Sequence, residues 1–220
     1  MIEYEVVATG STGNCVIVQK NIMIDCGVSF KKVAPYIADV KLVLLTHVHS
    51  DHFKPSTLRR MALEKPLLRF GCCHWMVKPL VDSGVPKGQI DVLRPQVMYG
   101  YGICNVIPFE LHHDVPNCGY KLHFPDGKVF YATDTGSLSG IVAKDYDLYL
   151  VERNFDSTEL KERMDEKEAA GQYAYERRVM LYHLSEKKAT DWLYKMMSPK
   201  SEYVFLHQHV DRGTENDGSL

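Results

Sequence analysis

The segment Leu44-Leu45-Thr46-His47-Val48-His49-Ser50-Asp51-His52 constrains this chain more than any other stretch. The apolar run Leu42–Thr46 reads as a strand, and it ends directly in a polar loop that holds three of the chain's 10 histidines. On an extended backbone His47 and His49 point to the same side, so both can reach one metal ion. Asp51 and His52 follow where the chain turns and can face a second ion. Neutral imidazole and carboxylate are ligands that borderline divalent ions such as Zn²⁺ or Mn²⁺ accept. The bland alternative is a loop of solvated polar residues. This spacing of ligand types straight after a strand weighs against it.

The rest of the chain reads as a sheet-rich sandwich. Strand-like runs cover Tyr4–Ala8, Cys15–Val18 and Ile22–Asp25, and a second block covers Ile103–Pro108, Gly119–Phe124, Val129–Ala132 and Asp147–Glu152. Helical stretches are expected at Pro55–Glu64, Trp75–Asp82, Ser157–Lys167, Gly171–Met180 and Ser185–Met196, before a last strand at Tyr203–His207. Strands and helices in two unequal halves predict two β-sheets packed together with helices outside. No repeat, low-complexity tract or Gly/Ser linker divides the 220 residues. Residues 1–210 therefore read as one domain, followed by a polar tail, 211–220, expected to fray.

Charge and cysteine usage narrow the function classes. With 26 Lys+Arg against 28 Asp+Glu the net charge is −2, which lacks the basic footprint of a nucleic-acid binder. Bound cations would add charge that this sum omits. No apolar run approaches the roughly 18 residues of a membrane span. The start MIEYEVVATG has neither the basic nor the apolar region of a signal peptide, so a cytoplasmic, membrane-free protein is expected. The six cysteines show no CxxC spacing and read as buried, reduced thiols.

The run His47-Val48-His49-Ser50-Asp51-His52 resembles the HxHxDH signature of the metallo-β-lactamase-fold superfamily. Four further segments match that pattern in chain order: Asp25 in Ile24-Asp25-Cys26-Gly27, His113 in His112-His113-Asp114, Asp134 in Thr133-Asp134-Thr135-Gly136, and His207 after Tyr203–Leu206. The resemblance implies a four-layer αββα sandwich, an α+β arrangement of two mixed sheets. It implies two divalent ions, Zn²⁺ or Mn²⁺. His47, His49 and His113 would hold one, and Asp51, His52 and His207 the other. Asp134 would be shared and Asp25 would brace the loop. His112 and His209 stand beside or near implied ligands. The resemblance favours His113 over His112 and His207 over His209, and leaves His209 as a substrate contact.

Gly10-Ser11-Thr12-Gly13-Asn14-Cys15, Val151-Glu152-Arg153-Asn154-Phe155-Asp156 and His183-Leu184-Ser185-Glu186 are similar to the YycJ/WalJ-type single-domain nuclease branch. Phe155 departs from it, standing where that branch usually has a histidine. So does Gln208-His209, in place of Leu-Ser. The branch implies a two-metal phosphodiesterase acting on DNA rather than RNA, cutting 5′ to 3′, with a hydroxide bridging the ions as nucleophile. By likeness to tRNA-processing nucleases, Glu152 and His183 would form a proton-transfer pair, with Asp51 also catalytic. Alternatively, His183 caps the helix beginning at Ser185. Ser11, Thr12 and Asn14 make either phosphate contacts or a tight turn. The pairs Lys31-Lys32, Arg59-Arg60, Arg177-Arg178 and Lys187-Lys188 line a DNA path or are solvated helix faces. Tyr173 and Tyr175 stack on bases or pack between helices. The competing function is a binuclear hydrolase of a thioester, lactone or small phosphodiester, which the same ligands would serve. A redox diiron protein is disfavoured because His49 is intact.

Overall fold

A computed structural model describes residues 2–172 and 175–208. The apolar run before the histidines is a strand with no solvent-facing side. Leu42 and Leu44 enter the core between two sheets, while Val43 and Leu45 enter a second core beneath helices. A strand buried on both faces reads as a continuous apolar run, as this one does.

The first sheet runs in the order β1 (Tyr4–Ala8), β2 (Cys15–Val18), β3 (Ile22–Ile24), β4 (Leu42–Leu45), β5 (Arg69–Cys73) and β6 (Ile90–Leu93). Its first three strands are antiparallel neighbours, and β3 to β6 are parallel. The second sheet repeats the plan with β7 (Tyr99–Gly100), β8 (Asn105–Leu111), β9 (Asn117–Phe124), β10 (Gly127–Ala132), β11 (Leu148–Glu152) and β12 (Glu202–Leu206). There β7 to β10 are antiparallel, and β10, β11 and β12 are parallel.

Between the sheets lie Val16, Ile24 and Leu44 from one side and Tyr120, Leu122, Tyr131 and Leu150 from the other. Helices cover the outer faces. On the first sheet sit α1 (Phe30–Val33), α2 (Pro55–Glu64) and α3 (Val77–Asp82), which bury Val33, Leu58, Met61 and Leu80. Pro55 at the first turn of α2 suits a position whose N–H needs no partner. On the second sheet α6 (Glu186–Met196) packs Ala189, Trp192 and Leu193 against Phe130, Tyr149 and Val151. Their i, i+3, i+4 spacing makes one apolar stripe. Between β11 and α6 come α4 (Ser157–Ala169) and α5 (Glu176–Tyr182), which bury far less: α4 buries only Leu160. The result is the expected αββα sandwich. Among the described residues no helix is long and apolar enough to cross a membrane.

Two parallel strands, β5 and β6, stand where no strand was expected. Arg69-Phe70-Gly71-Cys72-Cys73 has no period-two alternation, since all but Arg69 are buried. Gly71 also lowers its strand propensity. The packing explains that glycine: a Cβ there would lie 2.9 Å from the Leu44 side chain. The expected helix at Trp75–Asp82 begins instead with a 3₁₀ turn, His74–Met76, and residues 173–174 of the expected helix Gly171–Met180 fall outside the described residues. The six cysteines are buried and free of disulfides.

Candidate metal centre

Parallel strands bring their carboxyl ends to one edge of a sheet, where open α/β sheets place their ligands. Here both sheets do so at the same edge. Register pairs Ile24 with Leu44, so Asp25 and the Thr46-His47 turn emerge side by side. In the other sheet Glu152 pairs with Leu206, and His207 follows at once. Asp25, Asp134 and His207 have left-handed backbones, with φ of 57°, 57° and 53°. Non-glycine residues reach that region at a cost, and such strain concentrates at functional sites.

The buried Asp25 carboxylate organises the loop. Its Oδ1 accepts from the Thr46 N–H at 2.9 Å and the Thr46 hydroxyl at 2.9 Å. Its Oδ2 accepts from His52 Nδ1 at 2.7 Å and the Tyr131 hydroxyl at 3.2 Å. Thr46 Oγ1 also lies 2.9 Å from His47 Nδ1, so it accepts that proton and passes its own to Asp25. One carboxylate thus fixes the Nδ1 proton of His52 directly and that of His47 through a hydroxyl, which turns both Nε2 atoms toward the cluster.

Those nitrogens face an assembly of donors. His47, His49 and His113 form one cluster whose ligand atoms lie within 4.8 Å of one another; Asp51, His52 and His207 form another, and Asp134 joins His47 and His52. Asp134 Oδ2 is 3.0 Å from His52 Nε2, and Oδ1 is 3.4 Å from His207 Nε2. His113 donates through Nδ1 to the Tyr182 carbonyl at 3.1 Å, which leaves its Nε2 for the cluster. The structure thus brings together all seven residues expected as ligands, and of the neighbours His112 and His113 only the second joins them. His112 is exposed.

The cluster calls for positive charge. His47 Nε2 is buried without a hydrogen-bond partner. Burial, then the charge of His52, holds His47 well below the usual histidine range, so it is a neutral imidazole with a bare lone pair. Burial would raise Asp134, but His52 and His207 outweigh it and hold this carboxyl well below the carboxylate range. Burial would lower His207, yet Asp134, Asp51 and Glu152 push it up to about 10. Carboxylates in excess draw protons onto these rings, and a divalent cation supplies the same charge. Nitrogen and carboxylate donors in this number fit such cations.

Beside the cluster, Glu152 Oε1 accepts from His183 Nδ1 at 2.6 Å, and Oε2 accepts from the N–H groups of Thr135 and Leu184 at 2.9 and 3.1 Å. Burial opposes ionisation of Glu152, but the bonds from His183 and His207 keep its carboxyl below the usual range. The helix cap is Ser185, whose hydroxyl accepts from the Lys188 N–H, so His183 is left to its bond with Glu152. The His183 ring stacks on that of His207, centroids 5.4 Å apart. Both line a cleft of about 270 Å³ with His49, Asp51, His113 and Asp134.

Other expected residues divide. Ser11 lines the cleft, and Thr12 is exposed and not part of that lining. Asn14 is buried. Its Oδ1 accepts from the Gly10 N–H at 2.9 Å, and its Nδ2 reaches the Gly10 carbonyl at 3.1 Å and Asp51 Oδ2 at 3.1 Å. That amide is committed to joining the Gly10 turn to the metal loop, so the expected substrate contact at Asn14 is replaced by a brace. His209, Tyr173 and the tail 211–220 lie outside the described residues. The basic pairs are mostly helix-surface groups: Arg60 pairs with Glu64, Arg177 with Glu168 and Lys187 with Asp191. Sequence reasoning missed Thr46, Tyr131 and Asn154, whose Nδ2 lies 3.1 Å from His207 Nδ1. Each carries no ligand atom and earns notice only through contacts between distant strands.

The fold and the donor cluster define a metal-dependent hydrolase of metallo-β-lactamase fold. Residues 20–208 match the beta-lactamase superfamily domain, and the chain belongs to that family. It is 25% identical over 230 residues to the exodeoxyribonuclease YycJ of Bacillus anthracis, covering 96% of this chain and 83% of the relative. Among solved structures it is similar to the metallo-beta-lactamase fold protein YhfI from Bacillus subtilis, with a TM-score of 0.72 and 14% identity over 95% of this chain and 87% of that one. It is similar also to the human short-form tRNase Z, with a TM-score of 0.67 and 16% identity over 94% and 92%.

Proposed function

We propose that this protein is a two-metal phosphodiesterase that shortens DNA from its 5′ end. The observation that carries the reading is the Glu152–His183 pair at the wall of the donor cleft. Hydrolysis of a phosphodiester needs a proton delivered to the departing oxygen, and a positioned imidazole contributes typically 10²–10⁴-fold. With Nδ1 engaged by Glu152, His183 has Nε2 to present to substrate. Burial would lower His183, but the bond to Glu152 raises it above its ordinary value.

His47, His49 and His113 would hold one ion, and Asp51, His52 and His207 the other, with Asp134 between them. Bound ions would supply Lewis-acid polarisation of the phosphoryl oxygens and a more acidic water. The chain's own residues do the rest. Asp25 and Asn14 hold the ligand loop, and Ser11 borders the cleft where a phosphate would sit. As water attacks phosphorus and the P–O3′ bond breaks, His183 Nε2 gives its proton to the 3′ oxygen, and Glu152 stabilises the ring throughout. Glu152 itself is a poor candidate ligand, because both its oxygens already accept hydrogen bonds. The name of the YycJ relative points to DNA, and that of the tRNase Z neighbour to the same bond in RNA.

The test is Mn²⁺- or Zn²⁺-loaded protein on 5′-phosphorylated duplex DNA, with Asp51→Ala as control. The reading predicts metal-dependent release of nucleotides from the 5′ end, absent in the variant. A fully metallated protein that leaves DNA intact but opens thioesters or lactones would overturn it.

A further inference from the structure

The donor cleft contains one feature that hydrolysis alone does not use. Arg178, on α5, is the one side chain of fixed positive charge among the described residues that line it. Its guanidinium pairs with Asp114 Oδ2. Asp114 follows His113, and its other oxygen is turned inward. Oδ1 lies 3.2 Å from His113 Nε2 and 3.4 Å from His49 Nε2, and it is buried with no hydrogen bond. One carboxylate therefore faces two cluster histidines with its inner oxygen and tethers an arginine with its outer one.

The depths of these groups differ. The side chains of His52, Asp134 and His113 are 0%, 3% and 2% exposed, while that of Arg178 is 65% exposed. A phosphate among the cluster donors is thus deeper than one that Arg178 meets at the mouth. A guanidinium presents a planar fork that matches two phosphate oxygens, and it stays charged at every working pH. We infer that Arg178 binds the phosphate next to the scissile one, exchanging Asp114 for it when a nucleic-acid strand enters, and so favours phosphate chains over small uncharged esters. This deepens the phosphodiesterase reading and rests on it. It also answers the net charge of −2, since the backbone would be gripped at one built position rather than by a basic surface.

The test pairs a change in the protein with a change in the substrate. Arg178→Ala is compared with wild type on oligonucleotides carrying a neutral methylphosphonate one linkage to either side of the cut. In wild type, neutralising the contacted linkage should lower kcat/KM roughly tenfold. In Arg178→Ala the all-phosphate substrate should already be about that much poorer, and the methylphosphonate should cost nothing more. Independent losses at both flanking positions would overturn the inference. So would loss of bound metal from Arg178→Ala, because the arginine would then merely hold Asp114 in place.

Binding separates this inference from the reaction itself. Anisotropy with a cleavage-resistant phosphorothioate oligonucleotide should show a roughly tenfold weaker Kd in the variant and a salt dependence reduced by about one phosphate. Binding of that kind without turnover in wild type would defeat the nuclease reading and leave Arg178 as the phosphate contact. Equal Kd values in the two proteins would defeat the inference whatever the activity.

Discussion

Asp25→Asn is the substitution that most sharply separates the two halves of the proposed metal centre. The side chain keeps its size, so nothing is emptied or crowded. Its Oδ1 must stay on the Thr46 side, because the Thr46 backbone N–H at 2.9 Å can only donate. The new amide nitrogen therefore takes the place of Oδ2, 2.7 Å from His52 Nδ1 and 3.2 Å from the Tyr131 hydroxyl. The hydroxyl can turn and accept. His52 can comply only by changing tautomer, which moves its proton to Nε2, the atom that faces Asp134 and the cluster. His47 keeps its path through Thr46. Loss of such a supporting carboxylate typically weakens a metal site 10–100-fold, or about 1.4–2.8 kcal/mol. Competition titration with a chromophoric chelator should then show one ion bound that much more weakly, and the other at wild-type affinity. Two equal losses, or none, would refute the tautomer argument. Asp25→Ala should be worse, since it strands the Thr46 N–H and the His52 ring in a buried site.

Three further outcomes follow from the same geometry. His183→Ala and Glu152→Gln should each lower kcat by about 10²–10⁴-fold at full metal content by elemental analysis, and loss of metal would make them ligands instead. Gly27→Ala should collapse metal binding, because its Cβ would lie 1.7 Å from the Asp51 carbonyl oxygen; a variant that binds two ions normally would show that the loop can move aside. At α4, the N–H groups of Glu159 and then Thr158 lower the Asp156 carboxyl below its ordinary value. A depressed folded pKa gives stability that is present above the unfolded value of about 3.9 and lost as pH falls through the folded one. The amide shifts of Thr158 and Glu159 should therefore report fraying of α4 in acid, and Asp156→Ala should show it already at neutral pH. Identical acid profiles in the two proteins would remove the cap from the account.

Much of this site is legible because its donors announce themselves. His47, His49, Asp51 and His52 sit on one strand-to-loop turn, and the other donors follow strands that alternate or run apolar. The supporting residues are not legible in the same way. Thr46 and Tyr131 belong to different sheets, and only the sandwich brings their hydroxyls to Asp25. Asn14 shows the opposite limit: its place in a small-residue turn suggested substrate contact, whereas burial commits its amide to Gly10 and Asp51. Strand β5 escaped notice for a packing reason, whereas β6 is a short edge strand, Ile90–Leu93, with little pattern to read. A central strand covered on both faces loses the alternation that marks a half-exposed one, and Gly71 is small because Leu44 lies against it. The Arg178–Asp114 contact joins residues 64 positions apart and has no signature in either segment.

The most direct measurement is a crystal structure of the Mn²⁺-loaded protein with anomalous data at the manganese edge. Two peaks are expected, one among His47, His49 and His113 and one among Asp51, His52 and His207, with Asp134 between them. A single peak, or one held by Glu152 and His183, would contradict the account, because the pair assigned to moving the proton would then be holding the metal.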